Sequence, residues 1–195
     1  MNHPLLIFFT ALILAHTITA QESHVVDQDT SDIPDYFEGI HSTLDYDLVE
    51  WDVYTHKHDG KLEITWSLSR DMTHWSFEIG EISGTIRQLW KDNDSHYELN
   101  THDGVTVTMR TKWPTDHSEW VIKSENADFI WMATQYDDAN EWFVKAEDLG
   151  TLMMFTDILD DPRDWLIEDY MPEELVAEKM ACFFITLIRV INNFD

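Results

Sequence analysis

Two patterns in this chain constrain the fold because neither can be satisfied without the other. Apolar side chains recur at alternate positions through much of residues 46–147, and the chain then closes with a run that is apolar on nearly every side. In "LEITWSL" the residues Leu62, Ile64, Trp66 and Leu68 share one face, and Glu63, Thr65 and Ser67 the other. "HWSFEIG" repeats this with Trp75, Phe77 and Ile79, and "GVTVTM" with Val105, Val107 and Met109. A period of two over this length predicts antiparallel strands with one buried face. Further strands are expected near residues 46–54, 84–90, 95–101, 118–124, 127–135 and 141–147. Turn-rich clusters such as "SRDMT", "KDNDS", "PTDHS", "SENAD" and "YDDAN" separate them.

The C-terminus changes period. Pro172 suits a first helical turn, and Glu173 and Glu174 complement the positive end of a helix dipole. The following "LVAEKMACFFITLIRVI" describes a buried helix, placed over residues 172–193. Its uninterrupted apolar stretch, Met180 to Ile188, is far shorter than the roughly 20 residues of a bilayer span. A long meander must close or curl to hide its edges, and an all-apolar helix must be covered. The expected fold is therefore mainly β: a closed or strongly curled antiparallel barrel over residues 46–195, wrapped around a buried C-terminal helix.

The triplet His-Asp-Gly occurs twice, at His58-Asp59-Gly60 and at His102-Asp103-Gly104. Asp-Gly between alternating runs is a hairpin signal, because glycine tolerates the positive φ such turns demand. Both copies are expected to be hairpin tips rather than sites.

The first twenty residues carry no Asp, Glu, Lys or Arg, and the apolar run from Leu5 to Ala15 has the length of a signal-peptide core. Residues 1–20 are expected to be a signal peptide cleaved after Ala20. Residues 21–45 are expected to form a polar N-terminal lead, flexible over 21–35. No transmembrane span is expected after cleavage. Cys182 is the sole cysteine, so no internal disulfide exists, which suits a secreted or periplasmic bacterial protein better than a eukaryotic secretory one.

With 38 acidic against 12 basic side chains the formal net charge is −26, which repels nucleic-acid phosphates and anionic headgroups. Nucleic acid is excluded as a partner. An apolar content of 44% sets the chain apart from disordered acidic sequences.

The stretch "SGTIRQLWKDNDSHYELNTHDGVTVTMRTK" resembles a recurring unit of the phospholipid scramblase and LURP-one-related proteins, with Gly84, Ile86, Gln88 and Trp90 at the spacing of their "G-x-(I/V)-x-Q-x-W" strand. The ending "DDPRDWLIEDYMPEELVAEKMACFFITLIRVINNF" resembles theirs too. The resemblance covers roughly residues 75 to 194, and it implies a tubby-like closed barrel of about a dozen strands around the C-terminal helix. It also implies a calcium site in an acidic segment before the helix. Asp161 fits the first acidic position there, and Trp165 and Ile167 the hydrophobic ones, while Arg163 stands where a second ligand belongs. Asp157, Asp160 and Asp164 lie near enough to compensate, so Asp160, Asp161 and Asp164 are the calcium candidates. A solvated acidic turn is the other reading of the same residues. Arg189 departs from the acidic helix ending of the group, and neither a palmitoylation cysteine cluster nor a basic cluster for phosphoinositides is present.

Other chemistry finds little support. Asp92, Asp94 and His96 alternate loosely like half a calcium loop, without the glycine turn and distal glutamate of an EF-hand. His56 and His58 lie two apart, with no His or Cys partners at zinc-site spacing. No Gly-x-Ser-x-Gly elbow is present, and Cys182 falls inside the buried helix. Trp51, Trp66, Trp75 and Trp131 are assigned inward, and Trp113 beside Pro114 is the best exposed aromatic. The expected function is a secreted, non-enzymatic binding or scaffold protein of the scramblase/LURP-one-like group, with lipid, a divalent cation or an envelope protein as partner. A lipocalin-like carrier of an apolar ligand, and a hydrolase with a carboxylate/His site, are the alternatives.

Overall fold

Alternation becomes sheet because each strand buries its apolar face against a common centre while neighbouring strands satisfy its backbone. The structure is a computed structural model that describes residues 33–44, 47–66, 71–135 and 138–194. The expected signal peptide and the lead up to residue 32 lie outside the described residues.

Twelve strands follow in chain order: β1 Phe37–Leu44, β2 Asp47–Thr55, β3 Asp59–Ile64, β4 His74–Ile79, β5 Ile82–Trp90 and β6 Asn93–Thr101. They continue as β7 Thr106–Trp113, β8 Asp116–Lys123, β9 Ile130–Gln135, β10 Asp138–Ala146, β11 Gly150–Thr156 and β12 Asp164–Asp169, before α1, Val176–Phe194. Every strand pairs antiparallel with its sequence neighbours, and β1 closes against β12 with Ile40 opposite Trp165, so no edge is left open. β1 lies within the segment expected to be a polar lead, and β11, "GTLMMFT", also escapes the period-two reading. In β1 the buried Phe37, Ile40 and Ser42 are spaced three and two apart, because a register shift between Phe37 and Gly39 breaks the alternation.

Eight-stranded barrels are filled by their own side chains. Twelve strands about 4.8 Å apart, tilted by about 40°, enclose a radius of roughly 12 Å, room for a helix as well as a layer of inward side chains. Helix α1 occupies that room. Phe183 meets Phe37 of β1 edge-on, Phe184 meets Trp75 of β4 and Tyr97 of β6, and Thr186 lies 3.6 Å from the Met154 sulfur of β11. Contact with opposite walls places the helix along the barrel axis, and residues Met180–Ile188 are all buried. Pro172 opens the turn before the helix rather than its first turn: Leu175 N donates to Pro172 O, and the helix begins at Val176.

The helix also carries charge into the core. Lys179 Nζ donates to Asp169 Oδ2 at 2.8 Å with both side chains fully buried, and to Met171 O at 3.2 Å. The same carboxylate accepts from Phe37 N and Met171 N, and the ammonium lies 5.5 Å from the Phe37 ring centre. One ion pair thus ties β1, β12 and the helix start together. Its neighbour Glu178, also fully buried, accepts from the Ser124 hydroxyl.

The barrel has an internal repeat. The even strands carry Trp51, Trp75, Tyr97, Trp120, Trp142 and Trp165 at equivalent inward positions, 22 to 24 residues apart, all at most 2% exposed. Four residues before each stands Asp47, Asp71, Asn93, Asp116, Asp138 or Asp161. Each of the five indoles donates to the carbonyl three residues earlier, at 2.9 to 3.2 Å. Where this Asp or Asn side chain is described, its oxygen accepts from the backbone N–H two residues on: Thr73 N to Asp71, Ser95 N to Asn93, Ser118 N to Asp116 and Arg163 N to Asp161. Each repeat is one turn and hairpin with Asp or Asn opening it and an indole, or in the third copy the Tyr97 ring, buried inside.

Of the other tryptophans, Trp66 is exposed rather than inward, because β3 ends at Ile64 and the residue falls in the following turn. Trp131 lies between the buried Ile130 and Met132 and so faces outward, stacking edge-on with Phe143. Of the two His-Asp-Gly copies, only the second is a tip, with Gly104 at φ +105° and Thr101 N donating to Val105 O. In the first, the turn is Thr55–His58 and Asp59-Gly60 already pairs with Tyr54 and Val53. Gly60 is needed for space: a Cβ there would lie 2.3 Å from Glu78 O on β4.

Candidate functional site

The three calcium candidates belong to the sixth copy of the repeat, and turn formation occupies each. Asp160 has φ +63°, close to the +63° of Asp92 and the +66° of Thr115 in equivalent turns, and its Oδ1 lies 3.2 Å from Asn140 Nδ2. Asp161 accepts from Arg163 N, from Nε at 2.8 Å and from a terminal guanidinium nitrogen at 2.6 Å. Asp164 is paired with His41 across the β1–β12 seam. Among the described residues no three His, Cys, Asp or Glu side chains gather to hold a metal ion. Arg163, whose presence in this segment the sequence made conspicuous, supplies internally the positive charge that a cation would bring.

The Arg163 hydrogen bonds hold the Asp161 carboxyl down to about 2, well below the ordinary carboxylate range. A carboxyl depressed in the folded state adds stability that is complete above its unfolded value, near 3.8, and is lost as the pH falls through about 2. Asp161→Asn is therefore expected to flatten the decline of unfolding free energy between roughly pH 4 and pH 2. Urea titrations of both proteins at half-unit pH steps check this; parallel curves would refute the coupling.

Asp94 Oδ1 approaches His117 Nε2 to 3.0 Å, an interstrand pair rather than a calcium half-loop. His56 stacks on Tyr36 at 5.0 Å. Burial pushes the Cys182 thiol far up, and the Glu178 and Asp169 carboxylates add to the effect, so the thiol stays protonated inside the barrel.

Among the described residues a concave feature suited to a ligand lies elsewhere, at the end of the barrel where α1 begins. A cavity of about 440 Å³ opens between the β2–β3 turn, the β4–β5 turn, the chain ahead of β1 and the segment leading into α1. Phe37, Ile79, Ile82 and Val176 give it apolar walls. Four carboxylates, Asp35, Glu81, Glu173 and Glu174, share the lining with His58, and among the described residues no Lys or Arg does. Asp35 is held in place: its Oδ1 accepts from Lys57 N, its own N–H donates to Glu173 Oε2 at 2.8 Å, and its Oδ2 stands 3.8 Å from His58 Nε2. Apolar walls with several carboxylates are chemically complementary to a positively charged group on an apolar stem.

Sequence reasoning met His58 and Glu173 but assigned them to a turn and a helix cap. Nothing along the chain announced the cavity, because its lining comes from four segments up to 141 residues apart that only barrel closure brings together. No protein-family model, curated protein or solved structure matches the chain. The fold itself defines a class, a closed twelve-strand antiparallel barrel threaded by its own C-terminal helix. No helix among the described residues is long and apolar enough to cross a membrane.

Proposed function

We propose that this is an exported, non-enzymatic binding protein of the scramblase/LURP-one-like group that takes a cationic, partly apolar group, such as a partner protein's lysine or arginine side chain, into the cavity beside the helix start. The observation that carries this reading is the combination of apolar walls and four carboxylates with no Lys or Arg among the described lining residues. Supporting it, the lumen that a lipocalin-like carrier keeps open is taken up by α1, and the residues that sequence offered as chemical groups are engaged in turns and interstrand pairs. The strongly acidic surface steers cations toward the molecule and loses that influence beyond a Debye length of about 8 Å at physiological salt.

Calorimetric titration with hexylamine and with hexanoate tests the proposal. The amine is expected to bind and the carboxylate, equal in apolar length, is not. Glu81→Gln and Glu174→Gln are each expected to weaken the amine roughly two- to fivefold, as for a partly exposed ion pair, and added salt to weaken it further. Equal heats for both probes, or none for either, would end this reading.

A further inference from the structure

The repeat that builds the barrel also decorates one end of it. Leu44, Trp66, Trp90, Trp113, Tyr136 and Leu159 recur 22 to 24 residues apart in the sequence, and the structure places Trp66, Trp90, Trp113 and Leu159, at or just beyond the close of odd strands, round the end opposite the helix start. Tyr136 lies outside the described residues. Turn tips facing water have no need of apolar side chains, yet Trp66 is 52% exposed, Trp90 61%, Trp113 57% and Leu159 74%, with Ile158 beside it at 60%. Trp90 and Trp113 each follow a register shift and sit just before a tight turn whose second residue has positive φ, Asp92 or Thr115. A bulge at a sheet rim re-aims the side chain that follows it. The inner hexad of the repeat is explained by the core. The four outer residues are not: each stays more than half exposed, Trp66 even with the His74 ring 5.0 Å from its own.

We propose that this crown docks on a lipid surface rich in zwitterionic headgroups, the indoles settling at the headgroup boundary. Three observations select that occupant. The apolar groups are borne on separate turns around a closed rim, which presents them as a ring to a plane rather than as one groove for a chain. Tryptophan, with an apolar body and one N–H, is the side chain that prefers the membrane–water boundary. Both signs of charge flank the tips: Lys91 and Asp92 follow Trp90, while beside Trp113 the ammonium of Lys112 pairs with Glu119 and Asp116 accepts from Ser118. Phosphate meets the first sign and quaternary or primary ammonium the second, the latter also favoured by aromatic faces. A net charge of −26 repels purely anionic headgroups. Docking at this end leaves the acidic cavity, at the other end of the barrel, facing away from the lipid.

The experiment is sedimentation of the whole protein with phosphatidylcholine vesicles and with phosphatidylglycerol vesicles, together with quenching by brominated phosphatidylcholine. The protein is expected to sediment with phosphatidylcholine, and the brominated lipid to quench part of its tryptophan emission, since the five barrel-core indoles are out of reach. The triple variant Trp90→Ser, Trp113→Ser, Leu159→Ser is expected to lower vesicle partitioning by about tenfold or more, in line with lost apolar contact, with an unchanged unfolding midpoint. Tyr54→Ser with Leu166→Ser, which removes exposed apolar groups from the barrel wall, is expected to leave partitioning as it was. No phosphatidylcholine binding, preference for phosphatidylglycerol, or equal binding by the triple variant would each overturn the proposal. So would a concentration-dependent dimer that the triple variant abolishes while no vesicle is bound, which would assign the crown to a second copy of this chain. Quenching is read on the unaltered protein, so the test survives if the triple variant fails to fold.

Discussion

Asp169→Ala is expected to cost about 3–5 kcal/mol of unfolding free energy, the penalty for stranding a buried ammonium. Among the described residues the other contacts of Lys179 are the Met171 carbonyl and the Phe37 ring face. The same substitution orphans Phe37 N and Met171 N, which both donate to Asp169. It therefore loosens the start of β1 and the turn into α1 together with the ion pair itself. Lys179→Met is expected to be milder, because a methionine of similar length fits apolar surroundings and Asp169 keeps its two backbone donors. A double variant, Asp169→Asn with Lys179→Met, is expected to recover much of the loss, since a neutral amide removes the stranded charge. Guanidinium unfolding followed by fluorescence and by circular dichroism measures all three. If Asp169→Ala unfolds within 1 kcal/mol of the unaltered protein, roughly the worth of an exposed pair, the buried pair is not holding the helix start.

Phe184→Ala is expected to be nearly as damaging, at about 3–5 kcal/mol, the range for deleting a fully buried phenyl group. Its ring lies edge-on to Trp75 and Tyr97, on neighbouring even strands, at centre distances of 5.8 and 4.9 Å. A barrel wall closed by backbone hydrogen bonds cannot collapse onto the gap as two loose helices do, so most of the cavity should persist. Phe184→Leu is expected to cost appreciably less, because it leaves most of the volume filled. Equal losses for Ala and Leu would mean that the aromatic edge contacts matter more than volume. Xenon or benzene protecting the Ala variant against thermal unfolding would report the cavity directly.

How far these features were legible in the chain differs from one to the next. The closed barrel and buried helix followed from period two in "HWSFEIG" and "GVTVTM" and from the apolar run at Met180–Ile188, since each pattern required the other. Trp66 was misplaced because alternation does not say where a strand ends, and Trp131 because it sits in a stretch with apolar residues on both sides, where period two is ambiguous. The repeat was present in the sequence as Asp or Asn four residues before an aromatic, six times over, and a search for self-similarity at a period of 23 would have found it. That repeat recasts Asp161 as one member of a series of turn staples. The candidate cavity had no local signal at all.

By itself, then, the sequence determined the kind of fold, the strong negative charge and the burial of the terminal helix. These are properties of periodicity and composition, carried by every short window of the chain. Tertiary structure alone decided that Lys179 and Asp169 meet in the dry interior, that Arg163 occupies Asp161, and that four carboxylates converge on one apolar cavity. It also decided that Trp66, Trp90, Trp113 and Leu159 stand exposed at one rim. Each of these joins residues distant along the chain, and their proximity follows from strand register and barrel closure, which no local window encodes.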